Sequence, residues 1–126
     1  MDKLAMVAAG GAIGASLRYL GVAWVARLTG AGFVGTMAVN VAGAFAMGVL
    51  AVILIERLPG EVGRLALFLI TGVLGGFTTF SAFSLDALYL IERERYGMAA
   101  GYILGSVLLS ILALFLGLKL ARASLA

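Results

Sequence analysis

Phenyl rings and hydroxyls alternate in one short run, Phe77-Thr78-Thr79-Phe80-Ser81-Ala82-Phe83-Ser84, directly after the glycine pair Gly75-Gly76. Phe80 and Phe83 are three residues apart, so on a helix they share a face, with Ser84 on it and Ser81 at its flank. A phenyl ring is negative on its face and positive at its edge. Ring edges beside hydroxyl donors suit a small, hard anion. The competing reading is that the rings only pack, as most large aromatics in apolar helices do.

Other polar residues fall into similar patterns. Tyr102, Ser106 and Ser110 are each four apart and form one hydroxyl stripe on an otherwise apolar segment. They read as a polar track, or as serines that bond back to their own helix. Thr36, Asn40 and Gly43 fall at i, i+4 and i+7, a second polar and small stripe. Asn40 is the sole carboxamide of the chain and reads as an interhelical hydrogen-bonding residue or as a donor to a passing ion. Arg18 lies well inside an apolar run, where a charge is costly and faces a wet cavity or a partner. It either adds positive potential to an aqueous vestibule or snorkels as a structural arginine.

Enzymatic chemistry finds no footing here. There is no histidine or cysteine, which removes imidazole proton relays, thiolate metal sites and disulfides. No nucleophile–base pair, phosphate loop or paired carboxylates appear. The net charge of +3 comes from scattered basic residues, so there is no nucleic-acid footprint.

The elements that carry these residues follow from hydropathy. The 126 residues are 63% hydrophobic, with a mean hydropathy of +1.17. Four apolar segments, about 4–28, 33–55, 65–90 and 98–118, each reach the ~20 residues that cross a bilayer and nearly exhaust the chain. The fold class is therefore an all-α membrane protein, one four-span domain over residues 1–126. Lys3 before an apolar run resembles a signal peptide, but the run continues to about Trp24 and reads as an uncleaved first span. Gly10 with Gly14, and Gly101 with Gly105, have the spacing that permits close helix approach. The link 56–63, with the only proline, Pro59, and the link 92–97 are short aqueous turns. Asp86 reads as a residue at the water interface.

Gly75-Gly76 followed by two β-branched threonines is poor helix-forming sequence and predicts a third span broken at its centre, over residues 75–78. A break frees backbone groups that lipid cannot satisfy. They then line a polar cavity, hold an ion or meet another subunit, unless the glycines make only a packing kink. Clustered carbonyls without an acidic residue suit a dehydrated monovalent cation.

With four spans both termini share one side, which carries Lys3, Arg57, Arg64, Lys119 and Arg122; the other carries Arg27, Arg93 and Arg95. Five against three is a weak bias for the rule that sets orientation. It predicts insertion both ways and an antiparallel, dual-topology homodimer.

The stretch Gly-Gly-Phe-Thr-Thr-Phe-Ser-Ala-Phe-Ser at 75–84 closely resembles the central motif of the CrcB/Fluc fluoride channels. The run at 10–19 resembles that family's first helix, and Asn40-Val41-Ala42-Gly43 its Asn-x-x-Gly motif; the resemblance extends over the whole chain. It implies a passive fluoride channel, with two antiparallel pores at a dimer interface in the plasma membrane, the inner membrane in a Gram-negative cell. It implies Phe80 and Phe83 as paired pore phenylalanines and Asn40 as a pathway residue. Thr79, Ser81, Ser84, Tyr102, Ser106 and Ser110 are the further donors along the fluoride path. It also implies a structural Na⁺ on the backbone oxygens of Gly75 and Thr78 from both subunits. One departure is Ala82, where the family often has Thr. The rival is a small dual-topology proton-coupled exporter, which needs an intramembrane carboxylate; Asp86 is the one candidate. A non-transporting assembly subunit would explain the glycines but not the hydroxyls or rings.

Overall fold

The computed structural model describes residues 2–58 and 63–126. The described residues are helical throughout, apart from short connections, and contain no strand. Four helices are long and apolar enough to cross a membrane. Of the 56–63 link, residues 59–62, Pro59 among them, lie outside the described residues.

Helix α1 (Lys3–Thr29) starts where the Asp2 carboxylate accepts the Ala5 N–H at 2.7 Å, filling one of the orphan amides of a first turn. It stops at Gly30, which takes the left-handed φ of 75° and returns its N–H to Ala26 at 2.8 Å. Helix α2 (Gly32–Glu56) widens to π-type spacing over Val52–Glu56, closed by the Arg57 N–H on the Val52 carbonyl at 3.0 Å. Helix α3 (63–77) contains a longer wide stretch, Leu67–Leu74. Then Thr78 (ψ 154°) and Thr79 (ψ 120°) are extended before α4 (Phe80–Glu92). A three-residue turn leads into α5 (Tyr96–Ser124), a helix of 29 residues that exceeds the expected 98–118 at both ends.

The glycines sort the packing. A Cβ on Gly14 would overlap the Val73 carbonyl, and one on Gly10 the Phe68 carbonyl, so α1 lies backbone to backbone on α3. Gly76 completes that seam, since a Cβ there would stand 2.6 Å from the Gly11 carbonyl oxygen. Gly48 and Gly117 make the equivalent seam between α2 and α5, against Leu114 and Phe45 carbonyls. Such close approach maximises dispersion contact, the main cohesive force between helices where lipid is as apolar as the side chains. Gly101 and Gly105 form no such seam within the chain: Gly101 has nothing within 4 Å, and Gly105 only the Met37 sulfur at 3.8 Å. Large apolar residues such as Leu4, Trp24, Leu104, Leu108 and Ile111 point outward, as expected of helices bathed in hydrocarbon. The inner cluster is Phe83, Ala87, Leu90, Ala99 and Tyr102, closed by Phe33, Met37 and Ile103.

Candidate functional site

Thr78 and Thr79 leave the helical path, and several of the freed groups find other partners. The Thr78 N–H still reaches the Leu74 carbonyl at 2.9 Å. Thr79 caps α4, its Oγ1 accepting the Ala82 N–H at 3.1 Å, and its own N–H and C=O both go to the Asn40 side chain, at 2.7 and 2.9 Å. The diverted amides matter. Thr79 N–H and Ala82 N–H are the i+4 donors that Gly75 and Thr78 carbonyls would meet in an unbroken helix. Both donate elsewhere.

A cleft of about 520 Å³ opens beside this junction. It brings together Asn40, Gly75, Thr78, Thr79, Phe80, Phe83, Ser106 and Ser110, with an apolar remainder that includes Met47, Val107 and Leu114. Ser106 is only 5% exposed, and its Oγ has no hydrogen-bond partner among the described residues. A buried hydroxyl without a partner is costly. The N-terminal end of α4, the positive end of its dipole, borders the same cleft through Phe80.

The two phenylalanines are neighbours, ring centroids 5.5 Å apart, yet they differ in environment. Phe80 is 78% exposed, whereas Phe83 is 9% exposed and stacks on Tyr102 at 5.3 Å. Tyr102 meets Phe33 edge-on, also at 5.3 Å. Its hydroxyl donates to Asp86 Oδ2 at 3.2 Å. The expected hydroxyl stripe therefore divides: Ser106 and Ser110 line the cleft, and Tyr102 lies in the aromatic cluster outside its lining. Ser84 also stands outside the lining and donates to its own helix at the Phe80 carbonyl, 2.9 Å away. Ser81 is exposed, its Oγ 3.3 Å from Thr79 Oγ1.

Arg18 belongs to a second cleft, of about 340 Å³, with Tyr19, Thr36, Thr79 and Ala82. No carboxylate lies within salt-bridge distance of it among the described residues; the single ion pair found there joins Arg122 to Glu56 at the ends of α5 and α2, with Nε to Oε2 at 3.1 Å. Asp86 is half-buried and accepts from Tyr102. Its spacing, three past Phe83 and four before Leu90, puts it beside the buried side of α4. No group of three or more acidic residues that could hold a metal ion occurs among the described residues.

Residues 5–118 match the family described as CrcB-like protein, Camphor Resistance (CrcB). A protein of Agrobacterium fabrum, named fluoride-specific ion channel FluC, is 52% identical over 123 residues, covering 97% of this chain and 98% of the relative. Proteins of the same name from Cereibacter sphaeroides (strain ATCC 17029) and Rhizobium meliloti are 54% and 48% identical. They align over 97% and 98% of this chain, and over 96% and 98% of their own lengths. All three are named as ion channels, a non-enzymatic class. With a match of this length and these identities, the chain belongs to the CrcB family.

Proposed function

We propose that this chain is a fluoride-specific ion channel that lets the toxic anion leave the cell by passive flow. The observation that carries the reading is the Ser106 hydroxyl, buried and unpaired in a cleft shared with Phe80 and the start of α4. The names of the relatives supply the ion. Fluoride is small and strongly hydrated, so a pore must replace water with close donors and still release the ion. Hydroxyls and ring edges attract without the full charge of a lysine, which would trap it. Around the cleft the donors are Ser106, Ser110 and Thr79, with the edges of Phe80 and Phe83; Asn40 borders them. Ser81, Ser84 and Tyr102 join the path only by bonding differently from the arrangement described above. Arg18, in the second cleft, raises the positive potential where the anion enters.

The working unit is a homodimer of oppositely oriented copies in the plasma membrane, with the interrupted third span of each copy at the interface. The weak Lys/Arg asymmetry supports dual insertion. Reporter tags at the C-terminus should appear on both faces of the membrane; a single orientation in every molecule removes the antiparallel dimer. A structural Na⁺ on the Gly75 and Thr78 carbonyls is consistent with the junction, because the amides that would meet both in a continuous helix donate elsewhere. When bound, the ion would supply positive charge that holds those carbonyls in place. Full Na⁺ removal without a substitute cation should abolish activity, and unchanged activity would remove the site.

One observation favours a second reading. Asp86 is a half-buried carboxylate within the third span, as a proton-coupled exporter requires. Fluoride efflux from liposomes that hold only the purified chain separates the two. A channel dissipates a fluoride gradient without any proton gradient and leaves chloride behind; an exporter needs protons to move.

A further inference from the structure

The carboxamide of Asn40 binds both backbone groups of a single residue. Oδ1 accepts the Thr79 N–H at 2.7 Å, and Nδ2 donates to the Thr79 carbonyl at 2.9 Å. One amide orientation alone serves both partners, since the N–H needs an acceptor and the C=O a donor. The pairing also dictates a conformation. In a helix the N–H and C=O of a residue point towards opposite ends. In an extended residue they point to one side, as when one residue of an antiparallel pair exchanges both bonds with its neighbour. Thr79 is extended, φ −151° and ψ 120°, and Asn40 stands where a partner strand would stand. The brace comes from another helix, 39 residues earlier in the chain. Local sequence does not impose the conformation by itself, for Gly75 and Gly76 remain helical. Thr79 is also the one residue that borders both clefts.

We infer that Asn40 is a positioning residue: it selects the extended form of Thr79, and so fixes the wall between the cleft of Ser106 and the cleft of Arg18. The brace deepens the channel reading and rests on it only for what the wall is for. With Asn40 truncated, the Thr79 peptide groups lose the side chain that binds them both, and the junction slackens or winds back into helix. Either result moves the groups that face the anion.

The test combines two measurements on the full-length purified protein. Hydrogen–deuterium exchange at the Thr79 amide is followed without fluoride, corrected for the intrinsic effect of pH, and fluoride efflux is measured on the same preparations. Asn40→Ala should exchange at Thr79 at least tenfold faster than the wild type, while amides in the middle of α1 keep their protection. Asn40→Asp at neutral pH should lose part of that protection, less than Asn40→Ala, because a carboxylate still accepts the Thr79 N–H but repels the carbonyl instead of donating to it. Acidification gives that carboxyl one donor and one acceptor again. Protection and efflux should then return together, against a wild-type profile that stays flat. Wild-type exchange at Thr79 in Asn40→Ala, with efflux lost, would mean that Asn40 acts on the anion and not on the chain, and would overturn the inference. So would recovery of efflux in acidified Asn40→Asp without recovery of protection. If Asn40→Ala is not recovered folded, the near-isosteric Asn40→Asp carries the test alone. The exchange arm needs no transport: Asn40-dependent protection in a protein that passes no fluoride leaves the brace intact and overturns only the channel.

Discussion

Gly10 with Gly14 and Gly101 with Gly105 share one spacing and meet opposite fates. The first pair lies against the backbone of α3 so closely that a methyl group would strike carbonyl oxygens. The second faces open space or a single methionine sulfur at 3.8 Å. Spacing allows helices to approach, but it does not supply the partner. The same contrast recurs along α4, where Phe83 is enclosed by Tyr102 and Phe80 stands open at 78% exposure. Phe83, Gly10 and Gly14 are closed in by their own chain, whereas Phe80 and Gly101 are left open.

The largest effect should separate the glycines. Gly14→Ala places a methyl on the Val73 carbonyl, and overpacking of this kind costs roughly 1–3 kcal/mol or more; little folded protein should be recovered from detergent. Gly101→Ala meets nothing in the chain and should leave the thermal stability of the isolated subunit unchanged. If Gly101→Ala weakens dimerisation while the chain stays folded, the open face is the subunit seam. An equal loss in both variants would break the comparison.

Next comes Phe83→Ile. The ring stacks on Tyr102, and an aromatic pair contributes about 0.5–1.5 kcal/mol beyond its burial. Thermal stability in detergent should fall along with flux. A smaller effect is expected of Ser106→Ala. Its hydroxyl has no partner, so removing it should leave stability the same or raise it by up to about 1 kcal/mol, while fluoride flux per folded dimer drops. Loss of stability with flux intact would make Ser106 a packing residue. The smallest effect belongs to Glu56→Gln. The Glu56–Arg122 pair is exposed, and screened pairs of this kind contribute little. Neither melting temperature nor flux should change measurably, in low or high salt.

Much of this is legible in the residues. Four spans follow from hydropathy, and the spacing of Gly10 and Gly14 permits their seam without naming the helix that fills it. The stretch from Gly75 to Thr79 stands out because glycines and β-branched residues both disfavour helix. Composition places the interruption slightly early, however. Gly75, Gly76 and Phe77 stay helical, and Thr78 and Thr79 carry the extended dihedrals. Gly76 is needed for contact with α1, a requirement of packing that composition cannot separate from flexibility. The bond from Tyr102 to Asp86 spans two helices, so no single-helix periodicity could show it. The paired hydrogen bonds of Asn40 with Thr79 are likewise hidden, since the chain contains one carboxamide and many backbone partners. The difference between Phe80 and Phe83 depends on where Tyr102 lies, which is a tertiary fact.

The central claim is that fluoride crosses on the open side of α4, past Phe80. Phe80→Ile tests it most directly, because a ring this exposed can be exchanged for a smaller apolar side chain without disturbing the chain's own packing. The measurement is fluoride efflux from liposomes, normalised to the dimer recovered by size-exclusion chromatography. The expected result is a normal dimer with flux reduced at least tenfold. Near-normal flux per dimer would take Phe80 out of the path and contradict the account.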